Sequence, residues 1–131
     1  MTEHDLVQAA LKARETAYAP YSNFPVGAAL ECEDGTVFLG CNVENAAFGS
    51  TICAERTAVL KAVSEGHRRF RRLAIAGSSG DPCWPCGACR QVLSEFAPSL
   101  ALLISDEEGR YVTTDLGALL PHSFGAEILD K

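Results

Sequence analysis

Two cysteine-bearing segments, Cys53-Ala54-Glu55-Arg56 and Pro85-Cys86-Gly87-Ala88-Cys89-Arg90, each open a helical pattern. After Cys53, residues Ala54, Ala58, Leu60, Ala62 and Val63 are apolar, and Gly66 suits a C-terminal stop. The second pattern covers residues 86–96 and stops before Pro98. A helix N-terminus lowers a thiol's pKa, because the dipole and free N–H groups favour thiolate. Three such thiolates, from Cys53, Cys86 and Cys89, suit Zn2+. Three protein ligands leave the fourth tetrahedral position open to water, which separates a catalytic zinc site from a closed structural one. Glu55 stands two residues from Cys53, beside such a metal without needing to ligate it. A carboxylate there can take a proton from water and deliver it to a substrate nitrogen.

The rest of the pattern supplies a scaffold for those helices. Apolar spacing predicts a helix over residues 5–16, closed by Pro20, and a loop over 18–25. Strands are predicted over 26–32 and 36–41, joined by the hairpin signal Asp34-Gly35. An irregular stretch, 42–51, precedes the Cys53 helix. Further strands are expected over 73–77, 100–105 and 111–114, and a loop over 78–85. The turn Asp106-Glu107-Glu108-Gly109 is too short for a parallel crossover, so the last two strands should pair antiparallel. A short helix over 115–120 precedes Pro121. This alternation predicts an α/β fold: one mixed five-stranded sheet with helices on both faces. In such sheets, ligand sites gather where strands deliver the chain into helix N-termini.

Composition bounds the function. The 131 residues suit one domain spanning 1–131, with 47 % apolar and 21 % charged residues. The net charge of −6 counts against a general nucleic-acid binder. No apolar run reaches the length of a membrane span. The first residues, Met1-Thr2-Glu3-His4-Asp5, are acidic and unlike a secretory signal, so a cytoplasmic setting is expected. Thiols stay reduced there, and clustered cysteines then indicate metal or catalysis rather than disulfides. The basic run His67-Arg68-Arg69-Phe70-Arg71-Arg72 reads as a solvated turn, and Cys32 and Cys41 as small core residues. His4, His67 and His122 lie outside the motifs and receive no role.

Four stretches carry a resemblance. They are Tyr18-Ala19-Pro20-Tyr21-Ser22-Asn23-Phe24-Pro25-Val26-Gly27-Ala28-Ala29, Gly40-Cys41-Asn42-Val43-Glu44-Asn45-Ala46-Ala47, Cys53-Ala54-Glu55-Arg56-Thr57-Ala58, and Pro85-Cys86-Gly87-Ala88-Cys89-Arg90-Gln91-Val92. In this order they make the chain resemble the homotetrameric zinc-dependent cytidine deaminases over nearly its whole length. A nearby glutamate that is not a ligand, followed by Pro-Cys-x-x-Cys, is the known signature of zinc base deaminases. The resemblance implies a three-layer α/β/α fold and a small nucleoside substrate, cytidine or deoxycytidine, within pyrimidine salvage. It implies that Asn42 and Glu44 hydrogen-bond the ribose 3′-hydroxyl, and that Phe24 packs on the pyrimidine. The Ala54 N–H would meet the exocyclic oxygen of the base, and Arg56 would donate to the metal-bound thiolates. Phe124 would reach a neighbour's pocket in a homotetramer whose active sites are shared.

The chain also departs from that pattern. Cys83-Trp84-Pro85-Cys86 adds an overlapping Cys-x-x-Cys. Cys83 reads as a loop thiol, or else as a fourth ligand turning the cysteines into a structural knuckle. Trp84 stands where, by resemblance, a backbone carbonyl faces the departing amine. Phe48 occupies a place where relatives can carry tyrosine. Enzymes that edit bases within RNA or DNA, and deaminases of cytosine-containing antibiotics, share the metal motif; Asn42, Glu44 and Phe24 favour a nucleoside over both.

Overall fold

The structure, a computed structural model, describes residues 1–129; Asp130 and Lys131 of the expected single unit lie outside the described residues. The chain begins with α1 (Glu3–Ala13), whose start is fixed by reciprocal hydrogen bonds between Thr2 and Asp5. A 3-10 turn, Arg14–Thr16, replaces the last turn of the expected helix. Then come β1 (Gly27–Cys32), β2 (Val37–Cys41), α2 (Ala54–Ser64), β3 (Phe70–Ala76), α3 (Gly87–Phe96), β4 (Ala101–Ser105), β5 (Tyr111–Asp115), α4 (Leu116–Leu119) and α5 (Ala126–Leu129). The last of these has no counterpart in the sequence reading.

The strand order is β2-β1-β3-β4-β5. Only β3 and β4 run parallel, linked by the α3 crossover, and β4 and β5 pair antiparallel as their short turn requires. Alternation sorts each strand between two layers. Leu30, Leu73, Ile75, Leu102 and Ile104 pack with Ala58, Val59 and Leu93 on the α2–α3 face. Ala29, Ala74, Ala76 and Leu103 meet Leu6, Val7 and Ala10 of α1 on the other. The three-layer expectation therefore holds. No helix among the described residues is long and apolar enough to cross a membrane.

Two sequence readings are corrected. The run 67–72 is only partly a turn: Phe70, Arg71 and Arg72 belong to β3, which starts three residues before the expected Leu73. Arg72 Nε lies 2.7 Å from Oε1 of the buried Glu31 on β1. This cross-strand partner is invisible in a linear reading. Cys32 is a core residue, but Cys41 is only half-buried and accepts a 3.6 Å hydrogen bond from Thr16.

Candidate active site

Cysteines stand at the N-caps of both α2 and α3, where serine, threonine or aspartate usually bond the free helix N–H groups. Neither Cys53 nor Cys86 makes that side-chain bond. Their sulfurs face each other instead, 3.8 Å apart, and Cys86 Sγ is 3.4 Å from Cys89 Sγ. Gly40 lets α2 approach the sheet closely enough for this. A Cβ there would sit 2.4 Å from the Ala54 carbonyl oxygen and 2.6 Å from the Ala58 nitrogen.

The Cys53 thiol is pulled down to about 5, first by its hydrogen bond with Cys89 and then by Arg56, against the effect of burial. Cys89 is pushed well up by the same shared proton and by burial. Three adjacent thiols cannot all ionise against one another, and a divalent cation removes that conflict. Tetrahedral zinc with sulfurs at about 2.3 Å separates them by about 3.8 Å, so the donor set fits zinc. Arg56 Nη2 donates to Cys53 Sγ at 3.3 Å and to the Thr51 carbonyl at 3.4 Å. Its buried Nε has no partner among the described residues. Cys83 is not among the converging sulfurs. It lies in the loop after β3, and its thiol is pushed up to about 11, first by burial.

Glu55 is 4 % exposed. Burial pushes its carboxyl up, as does the charge on Cys53, while its own backbone N–H opposes the shift. Ala54, fully buried, is the first residue of α2, and no protein acceptor meets its N–H among the described residues.

The 21–26 loop closes one side of the site. Asn23 has a positive φ of 54°, a conformation that asparagine tolerates, and it turns the chain into Phe24. The Phe24 ring lies against Gly77: a Cβ on Gly77 would lie 3.2 Å from Phe24 Cε1 and 2.9 Å from Cys83 Cβ. Asn42, 8 % exposed, clamps this loop, accepting from the Val26 N–H and donating to the Phe24 carbonyl, both at 2.9 Å. One amide hydrogen and one carbonyl lone pair remain free for a ligand. Glu44 accepts from the backbone N–H groups of Tyr21 and Ser22 at 2.9 and 3.0 Å, and from the Ser22 hydroxyl. These bonds, the Ser22 hydroxyl first, hold its carboxyl below the ordinary range. Ser22 Oγ in turn accepts from the Phe24 N–H at 3.0 Å. Ser22 thus joins Glu44 to Phe24, a role that its place in the Tyr18–Ala29 stretch does not by itself reveal.

A cavity of about 280 Å³ opens between Tyr21, Ser22, Glu44, Phe48 and Thr51. The Tyr21 and Phe48 rings meet edge to face there, 5.6 Å apart. Phe124 is distant in sequence but docked on α3, where Gln91 Nε2 donates to its carbonyl at 2.8 Å. The residue is 56 % exposed. Arg90, also unassigned from sequence, donates to the carbonyls of Pro85 and Leu119, both at 2.9 Å, and so fixes the metal loop to the C-terminal segment. A second hollow, about 350 Å³ between α1, β2 and α2, contains none of the expected site residues.

Known proteins match this arrangement. Residues 1–104 match the family model described as the cytidine and deoxycytidylate deaminase zinc-binding region. The chain belongs to the cytidine deaminase family. A cytidine deaminase of Sporosarcina psychrophila is 49 % identical over 98 % of this chain and 96 % of its own length. One from Halalkalibacterium halodurans is 45 % identical, with 97 % of each chain covered. The crystal structure of cytidine deaminase from Burkholderia pseudomallei superimposes with a TM-score of 0.92 at 51 % identity, covering 95 % of this chain and 100 % of that one. Family, fold and zinc-binding character therefore agree with the thiol geometry.

Proposed function

We propose that this single-domain chain is a zinc-dependent deaminase of cytidine and deoxycytidine, releasing uridine or deoxyuridine and ammonia. The observation that carries this reading is the buried Glu55 carboxyl beside three converging thiols. Cys53, Cys86 and Cys89 hold the zinc. When bound, the metal supplies Lewis acidity that readies water for attack near neutral pH.

Glu55 carries the protons. It takes one from the attacking water and gives it to N3 of the base as the C4–O bond forms. It then moves the second water proton to the exocyclic amine, the C4–N bond breaks, and ammonia leaves. Burial raises the carboxyl, which suits a group that must hold a proton between these steps. The Ala54 N–H donates to the pyrimidine carbonyl oxygen. Phe24 packs on the ring, and Asn42 and Glu44 use their free acceptor and donor capacity on the ribose 3′-hydroxyl. Arg56 offsets the charge that three thiolates place on the metal.

Four copies share their sites, each Phe124 completing a neighbour's pocket. The exposure of Phe124 and Phe48 supports this, because desolvated chemistry needs water excluded. We place the enzyme in the cytoplasm, in nucleoside salvage. An ultraviolet assay run side by side on cytidine, deoxycytidine, free cytosine and a cytosine oligonucleotide tests the reading. Loss of absorbance is expected with the two nucleosides; turnover of the oligonucleotide alone would overturn it.

A further inference from the structure

The far end of α2 holds a second group of metal-ligand side chains. One ligand atom from each of Cys32, Asp34 and His67 lies within 4.8 Å of the others. Eleven helical residues, about 16 Å of rise, separate this group from the thiol cluster. Cys32 ends β1 with its thiol buried, Asp34 occupies the β1–β2 turn, and His67 lies on the link between α2 and β3.

The three donors stand on backbone that is already fixed. The Glu33 N–H donates to the Arg69 carbonyl at 3.0 Å, joining the hairpin turn to the helix–strand link. The His67 N–H donates to the Ala62 carbonyl at 2.9 Å, which anchors it to the end of α2. The Asp34 carboxylate is divided: Oδ1 accepts the Thr36 N–H at 3.0 Å, and Oδ2 faces His67 Nδ1 at 3.6 Å. The Phe38 ring meets the imidazole edge to face at 5.1 Å, restricting its rotation. One sulfur, one oxygen and one nitrogen around tetrahedral zinc stand about 3.3 to 3.6 Å apart, so donors already within 4.8 Å of one another need draw in by no more than about 1.5 Å. A cavity of about 490 Å³ borders the group, with room for water as a fourth ligand. Arg68, in that cavity's lining, is directed instead to the Val63 and His67 carbonyls at 2.7 and 3.2 Å.

We propose that Cys32, Asp34 and His67 form a second metal site, which takes one zinc-class divalent cation through sulfur, oxygen and nitrogen and leaves one position open to the cavity. This donor mixture selects zinc over calcium or magnesium, whose ligands are oxygens. The bound ion clamps the β1–β2 turn to the end of α2. It touches no residue of the deaminase centre, so turnover does not depend on it.

The test uses the untagged, zinc-loaded enzyme. Equilibrium dialysis against zinc, followed by metal analysis, should give two zinc ions per chain. His67→Ala and Asp34→Asn should each fall to one, with cytidine turnover unchanged. Cobalt added to protein carrying a single zinc per chain should produce a near-ultraviolet thiolate charge-transfer band. That band should vanish in Cys32→Ser; the two surface variants keep the test decisive where the buried substitution does not fold. Saturation of the wild type at one ion, or a second equivalent that persists in His67→Ala, overturns the proposal.

Discussion

The two ends of the active site are built differently. At the metal end, Ala54 and Cys89 are fully buried, Glu55 nearly so, and three sulfurs converge within one chain. At the proposed sugar end, Tyr21 and Phe48 are 50 % and 72 % exposed and line an open cavity, while Phe124, apart from them on α3, is 56 % exposed. One chain therefore brings the proposed reacting groups together, while the aromatic side chains proposed to exclude water stay exposed on it. Chemistry that depends on a few short contacts can be housed at two helix ends. Excluding water from a nucleoside needs apolar area, and a small domain has little left after forming its core.

Substitutions at the two ends should separate in kind as well as size. The largest effect belongs to Cys89→Ala, which should lose zinc by metal analysis and all measurable turnover; a variant that keeps both would show the ligand set to be wrong. Glu55→Gln should keep zinc and fold but lose roughly 100- to 10,000-fold in kcat, the scale of general acid–base catalysis. Near-normal turnover there would remove the proton carrier from the scheme.

Among the exposed aromatics, Phe124→Ala should cost roughly 30- to 1000-fold, the range for a buried aromatic anchor at an interface. Unfolding and refolding it together with Glu55→Gln should restore activity, since some pockets would then combine an intact Glu55 with a neighbour's intact Phe124. No restoration from a tetrameric Phe124→Ala would place that ring in its own chain's site. Glu44→Ala should lower kcat/KM for cytidine about tenfold to a hundredfold, the scale of an unpaired polar contact. A 3′-deoxy substrate should lose little more in that variant, and simple addition of the two penalties would deny the contact. The smallest effect is expected at Ser22→Ala, a rise in KM of about five- to tenfold with kcat nearly kept, as Glu44 and Phe24 lose their shared tether. Ser22→Thr, which keeps the hydroxyl, should recover most of it; equal losses in both variants would reduce Ser22 to a packing role.

Legibility in the sequence follows the same division. Cys53, Cys86, Cys89 and Glu55 announce themselves because their spacing within each segment already sets their geometry at a helix start. Asn42 is legible as a polar site residue, but its bonds to Phe24 and Val26 are not, because they join elements sixteen and eighteen residues apart. Ser22 and Arg90 sit inside the recognised motifs yet gain meaning only from partners brought by folding. The Arg72–Glu31 pair is hidden for the same reason: a basic run looks solvated until its strand register places a buried carboxylate opposite one member.

What the sequence determined by itself is therefore local chemistry: which thiols and which carboxylate stand at helix N-termini, and the apolar alternation that makes a sheet between helices. Backbone periodicity and dipoles act over a few residues, so they can be read along the chain. The tertiary structure alone decided that the two helix starts meet with sulfurs 3.4 and 3.8 Å apart. It also decided that Cys83 stays outside that cluster while Cys32, Asp34 and His67 gather at the opposite end of α2. Those outcomes rest on strand order, on register and on a glycine at position 40 that admits a helix against the sheet. Each is a contact between segments remote in sequence, and only packing of the whole core selects among such contacts.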